Sequence, residues 1–349
     1  MANRAFLRGP QIIGTPTCAL HKPGTPQSII WGAFIYPGQG SQAVGMGAAV
    51  AEAYPEAADI FRRASDIAGY DVLRLCREGP MEKLSRTLFT QPALFTVEAA
   101  ITEALKKRGV HPSAAAGHSL GEFAAWYAAG AFEFEDGFAL VTERARLMDG
   151  ADSEGRGTMA AVIGMTEEMV REACGIVSEG TPNYALHNPG TPTVVVANLN
   201  SPLQLVISGE RDAVERAGAL LRERGAKRVL PLPVSGAFHS PLMQRAGDEF
   251  TAAVYKTRIV DAEIPVYSNV TARPVKGADE IRRLMVRQLT SPVRWAETVR
   301  NMADDGLRGG FEIGPGTVLA GLVKRTVETF DIRRVSEPAH IAKAMNETA

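Results

Sequence analysis

Gly117-His118-Ser119-Leu120-Gly121 is the stretch on which the reading of this 349-residue chain turns. It has the G-x-S-x-G form of a nucleophile elbow. Ala114-Ala115-Ala116 before it reads as a small-residue strand, and Leu120 to Ala129 after it as a helix. A strand that turns straight into a helix leaves no space for side chains beside the central serine, so glycines flank it. The turn lifts the Ser119 hydroxyl out of the sheet edge. It also aims backbone N–H groups at the place where negative charge would develop, and the helix adds its positive end. A plain glycine turn with Ser119 as helix N-cap satisfies the same five residues, so the surroundings have to decide.

A serine hydroxyl is hardly ionised at neutral pH and needs a base. Six histidines are available. His21 falls in the N-terminal stretch, His111 in a loop before Pro112, and His187 in a loop rich in Pro, Gly and Asn. His118 is expected to point away from the serine across the turn. His239, in Gly236-Ala237-Phe238-His239-Ser240-Pro241, remains the candidate base, against the reading of an ordinary loop histidine. No aspartate stands out as a third member, and Asp248 is expected on a solvated helix face. Gly38-x-Gly40-x-x-Ala43 resembles a dinucleotide fingerprint. That reading fails, because it needs a second strand ending in an acidic residue about twenty positions on, and this chain is helical there. A tight turn that brings amides to a reacting atom is the alternative. Gly314-Pro315-Gly316 is sufficiently explained as turn chemistry. Arg144 and Arg146 follow the serine on a helix. One of them facing inward would grip a carboxylate through two parallel hydrogen bonds, and spacing does not choose between them.

Further out, the chain reads as α/β. Residues 33–36, 264–268 and 311–313 are strand candidates, and 48–68, 89–108, 138–148, 279–289, 293–304 and 317–329 are helix candidates. Between 150 and 235 the order βαββαβ suggests an inserted ferredoxin-like unit. Its elements are expected at 159–163, 166–177, 194–197, 203–207, 211–224 and 228–232, with a long surface loop over 179–193. Residues 1–32 are basic and lack acidic residues. They are expected to form an extra, flexible leader, and a transit peptide has the same composition.

Composition narrows the function classes. Apolar residues make up 45% and charged residues 22%, as in globular proteins. Lys and Arg total 38 against 39 Asp and Glu, a net charge of -1, which argues against nucleic acid as the main partner. Mean hydropathy is -0.05 and no long apolar run occurs, so no membrane-spanning helix is expected. Cys18, Cys76 and Cys174 are scattered and odd in number. They suit neither a disulfide framework nor a metal site, and a reducing cytoplasm is the simplest compartment.

Five separated motifs then fall in one order: Tyr36-Pro37-Gly38-Gln39-Gly40-Ser41-Gln42, Thr90-Gln91-Pro92-Ala93, Gly117-His118-Ser119-Leu120-Gly121-Glu122, Gly236-Ala237-Phe238-His239-Ser240 and Glu312-Ile313-Gly314-Pro315-Gly316. Together they resemble the malonyl-CoA:acyl carrier protein transacylases and the acyltransferase domains of fatty acid and polyketide synthases, over about residues 33 to 345. The resemblance implies an α/β-hydrolase-like large domain at 33–150 and 236–345 with a ferredoxin-like subdomain at 151–235. It implies Ser119 as acylated nucleophile and His239 as its base, held by the main-chain carbonyl of Gln288 in place of an acid. Gln39 and Leu120 would supply the oxyanion-hole N–H groups. Arg144 would take the malonyl carboxylate, and Gln91, Asn200 and Phe238 would line the substrate site. Phe238 before the histidine and Leu120 after the serine resemble malonyl-specific members.

The implied substrates are malonyl-CoA and the phosphopantetheine thiol of an acyl carrier protein, with no further cofactor and a monomeric enzyme. A serine thioesterase, a transferase of another acyl-CoA and a non-catalytic carrier-protein-binding module are the alternatives. Arg222, Arg224, Lys227 and Arg228 are candidates for a basic docking face, against the reading of a solvated helix.

Overall fold

The computed structural model describes residues 29–152, 155–178 and 193–347. Ten strands are formed: β1 (Ile29–Tyr36), β2 (Val110–Gly117), β3 (Gly157–Ile163), β4 (Val194–Ser201), β5 (Gln204–Glu210), β6 (Arg228–Pro231), β7 (Val266–Tyr267), β8 (Pro274–Val275), β9 (Gly309–Ile313) and β10 (Asp331–Val335). The helices that matter for the site are α1 (Thr87–Lys106), α2 (Gly121–Ala128), α3 (Phe134–Gly150), α4 (Glu167–Val177), α5 (Arg211–Glu223), α6 (Ala278–Gln288) and α7 (Val318–Thr326).

The larger sheet runs β10-β9-β1-β2-β7-β8, parallel except at β8. Both of its faces are covered, which is why its central strands read as continuous apolar or small-residue runs. Along β1 the side chains alternate. Phe34 and Tyr36 join the core under α1, α2 and α3, whereas Ala33 and Ile35 join Trp295, Leu319 and Leu322 on the opposite face. Ala115 and its neighbours Ala114 and Ala116 divide in the same way on β2.

The smaller sheet is antiparallel with order β4-β5-β3-β6. With α4 after β3 and α5 after β5 this is the ferredoxin-like arrangement that the βαββαβ order predicts. Val170, Ala173 and Cys174 of α4 and Ala213, Ala217 and Leu221 of α5 pack on Val162, Val196 and Ile207. Met159, Ala197 and Val206 face the other way and enter the large core. Strand β4 is tied to the large domain by a backbone ladder. The Leu199 N–H donates to the Val293 carbonyl at 2.9 Å, and the Val293 N–H to the Ala197 carbonyl at 2.8 Å.

Several expectations change. β1 begins at Ile29, inside the stretch assigned to the leader, because Ile29, Ile30 and Trp31 pair with Val110, His111 and Pro112. His111 therefore lies on a strand and not in a loop. The helix expected over 48–68 is two helices, Ala48–Ala53 and Pro55–Ala68, since Pro55 starts a new first turn after extended Tyr54. The last helix candidate ends at Thr326 to make way for β10. His21, Cys18, His187 and all but Thr193 of the expected 179–193 loop lie outside the described residues. No helix among the described residues is long and apolar enough to cross a membrane.

Candidate active site

Ser119 sits in the turn from β2 to α2 with φ of 53°. That left-handed conformation costs free energy for a residue with a Cβ and persists only where its surroundings hold it. They do so closely. A Cβ on Gly121 would lie 2.1 Å from the Tyr36 carbonyl oxygen, and one on Gly38 would lie 2.4 Å from the His118 carbonyl oxygen. Thus β1, its following turn and the elbow touch backbone to backbone. Asn269, just after β7, pins the same turn. Its Oδ1 accepts the Ser119 N–H at 2.7 Å and its Nδ2 donates to the Gly117 carbonyl at 2.6 Å.

His239 lies 120 residues from Ser119 in sequence, yet its Nε2 is 2.7 Å from the Ser119 Oγ. Its backbone is also left-handed, with φ of 57°. On the far side of the ring Nδ1 is 2.9 Å from the Gln288 carbonyl. A carbonyl can only accept, so Nδ1 carries the proton and Nε2 keeps a lone pair for the serine hydroxyl. The imidazole is buried, and burial together with the Arg144 cation pushes its pKa down to about 3. It is neutral, as a base must be. Asp248 is exposed and accepts a hydrogen bond from Gln244.

Arg144 reaches the same point from α3. It is 1% exposed. Its Nη2 donates to the Ser119 Oγ at 3.2 Å and to the Gln288 Oε1 at 2.9 Å, and its Nη1 donates to the Gln91 Oε1 at 2.6 Å. The guanidinium plane also lies over the Phe123 ring, 5.4 Å from its centre. Burial pulls its pKa down to about 10, against the attraction of Glu122, so it stays charged at neutral pH. Arg146 instead points outward and pairs with Glu143.

The remaining sequence candidates gather here as well. Gln91, Asn200 and Phe238 line the cavity of about 220 Å³ above Ser119, with the side chain of Asn200 2.8 Å from the His118 Nε2. Gln39 turns its side chain away to Thr87. Among the described residues no group takes the backbone N–H of Gln39 or of Leu120. Of the basic docking candidates, Arg222, Arg224, Lys227 and Arg228 are exposed, Arg224 pairs with Glu172, and Arg222 donates to the Val229 carbonyl.

Two site residues escape a reading of the sequence. Asn269 is one. Its only signal is its place after a strand that neighbours β2, at the carboxyl edge where α/β sheets gather their chemistry. Glu122 is the other, and it is 1% exposed at the start of α2. Its signal is an acid directly before the all-apolar run Phe123-Ala124-Ala125-Trp126. Burial raises its pKa to about 7, opposed by hydrogen bonds from Gln288 and Asn269.

Residues 33–346 match the sequence pattern of the acyl transferase domain. The chain belongs to the acyl transferase family. This acyl transferase is 42% identical to the malonyl CoA-acyl carrier protein transacylase of Escherichia coli strain K12, over 314 residues that cover 90% of this chain and 98% of that protein. It is 40% identical to the protein of the same name from Bacillus subtilis strain 168, covering 90% and 96%. Among solved structures, an acyl carrier protein S-malonyltransferase from Vibrio cholerae superposes on this acyl transferase with a TM-score of 0.84 at 41% identity, covering 89% of this chain and 99% of that one. A malonyl-transacylase solved in complex with its type II polyketide synthase acyl carrier protein superposes with a TM-score of 0.85 at 40% identity, covering 91% and 99%.

Proposed function

We propose that this acyl transferase moves the malonyl group of malonyl-CoA to the phosphopantetheine thiol of an acyl carrier protein through a malonyl-serine intermediate. The observation that carries the malonyl reading is Arg144, a buried cation 3.2 Å from the nucleophile hydroxyl. Its amide partners on Gln91 and Gln288 are neutral, so an incoming carboxylate gains the stronger, charge-assisted bond.

The steps follow from the geometry. The Ser119 Oγ attacks the thioester carbonyl carbon as His239 Nε2 takes its proton. The N–H groups of Gln39 and Leu120 receive the oxyanion. The carbon–sulfur bond breaks, and the CoA sulfur leaves with the proton returned by His239. The carrier thiol then gives its proton to His239 and attacks the acyl-serine; the ester carbon–oxygen bond breaks, and the Ser119 Oγ leaves with the proton returned by His239. These steps draw on no cofactor beyond the two substrates. The Phe238 ring at the cavity wall works against an α-methyl branch on the acyl group, a discrimination worth about 1–3 kcal/mol. The enzyme is read as a cytoplasmic monomer that supplies fatty acid or polyketide elongation.

Intact-protein mass spectrometry after brief exposure to malonyl-CoA tests the reading. A malonyl adduct on wild type, absent from Ser119→Ala and cleared on addition of phosphopantetheinylated carrier protein, is the expected result. No adduct sinks the malonyl assignment. An adduct lost to water as fast as to carrier protein makes the enzyme a hydrolase.

A further inference from the structure

Arg144 is a full positive charge inside the protein, and no carboxylate touches it directly among its hydrogen bonds. A buried cation with no counter-charge is costly. The nearest compensation runs through one amide. The Gln288 Oε1 accepts from Arg144, and the Gln288 Nε2 donates to the Ser119 carbonyl at 2.9 Å and to Glu122 Oε2. The donors and acceptors around this amide fix which way it faces. Glu122 Oε2 also accepts the Asn269 N–H at 3.3 Å. The same Gln288 holds His239 by its main-chain carbonyl. One residue therefore touches the base, the nucleophile's backbone and the arginine, and a buried acid stands behind it.

We propose that Glu122 is the counter-charge of Arg144 and positions its guanidinium for the acyl carboxylate through the side-chain amide of Gln288. The carboxylate polarises the amide, so Oε1 becomes a stronger acceptor and holds Nη2 in place. Glu122 is thus a positioning residue for acyl selection. It touches neither the serine hydroxyl nor the imidazole.

The inference rests on the malonyl reading above, and its test separates the two. Single-turnover acylation of Ser119 is followed with malonyl-CoA and with acetyl-CoA at pH 8, above the raised pKa of about 7 at Glu122. The quantity read is the malonyl-to-acetyl ratio of kcat/KM. Glu122→Gln keeps the shape and removes the charge. The ratio is expected to fall about tenfold. Gln288→Leu keeps the peptide carbonyl for His239 but removes the amide, and the same fall is expected. It also carries the test if Glu122→Gln does not fold.

In an Arg144→Ala background, Glu122→Gln is expected to leave the ratio where Arg144→Ala put it, since coupled residues do not add. An equal loss with both acyl-CoAs, an unchanged ratio, or full additivity with Arg144→Ala overturns the inference while wild type still forms its malonyl adduct. Absence of that adduct from wild type overturns the malonyl reading itself.

Discussion

The Ser119–His239 pair depends on positions where almost nothing else can stand. Gly121 is the clearest, because any Cβ there collides with the Tyr36 carbonyl oxygen at 2.1 Å. That oxygen belongs to the central strand and cannot move aside. Gly121→Ala is expected to cost about 3 kcal/mol or more of stability and to abolish acylation even where some protein still folds. Thermal melts and adduct formation measure the two effects. The His239 ring makes a second prediction. With its pKa near 3, it stays neutral far below the ordinary histidine midpoint. Labelling of Ser119 by a neutral fluorophosphonate is therefore expected to keep a level rate from pH 8 to pH 5. A fall centred near pH 6.5 would contradict this. Of this candidate site, Ser119 between its glycines leaves a local mark, His239 was left open against a loop histidine and Arg144 against Arg146, and Gln39, Gln91 and Asn200 were expected through resemblance. Glu122 and Asn269 were not, since their roles come from partners far away in sequence. The side chain of Gln288 escaped for the same reason, and only its carbonyl was expected, through resemblance.

Among the elements, α7 shows how a motif that reads as a mere turn can hold a helix. Glu312 is the last but one residue of β9, and its two carboxylate oxygens accept the N–H groups of Leu319 at 3.0 Å and Ala320 at 2.8 Å. A helix start leaves such donors unpaired unless a cap serves them. Glu312→Ala would leave two donors unserved, one buried at Leu319 and one half-buried at Ala320, at a cost of about 2 kcal/mol. Because Val318, Leu319 and Leu322 line the cavity above Ser119, the KM for the acyl-CoA is expected to rise as well. A melting curve and steady-state kinetics check both, and an unchanged melting temperature would refute the capping role. The same region marks a limit of pattern reading. β10, Asp331-Ile332-Arg333-Arg334-Val335, carries charges along an edge strand and has no apolar run to announce it. It becomes a strand because β9 offers it a partner. The break at Tyr54-Pro55 did carry a local signal that the single-helix expectation over 48–68 passed over, since proline opens a helix more readily than it continues one.

Across the whole molecule, the core contains one group that works against it. Glu98 on α1 is fully buried, and among the described residues neither of its carboxyl oxygens has a hydrogen-bond partner. Burial and the nearby Glu312 raise its pKa well above the usual value. A carboxyl whose folded pKa is raised binds its proton more tightly in the folded state. Its burden on stability is therefore least below about pH 4.5, where the carboxyl is protonated in both states, and grows as pH rises toward the folded value. Glu98→Leu removes this burden. It is expected to stabilise the protein by about 1–2 kcal/mol at pH 8 and by much less at pH 4, as denaturant melts at the two pH values would show.

The two sheets were legible as separate units because their rhythms differ, parallel βα alternation in one and βαββαβ in the other. How they are joined was not, since the ladder from β4 to Val293 spans about a hundred residues of sequence. That join makes the small sheet a lever. Its fulcrum is the β4 edge, bonded to Val293, and its free end is β6, three places across the order β4-β5-β3-β6. From that free end the chain runs on directly to His239. Leu232 and Val234 on that run pack against the large core, so the spacing between Ser119 and His239 is set by how the two halves are seated on each other.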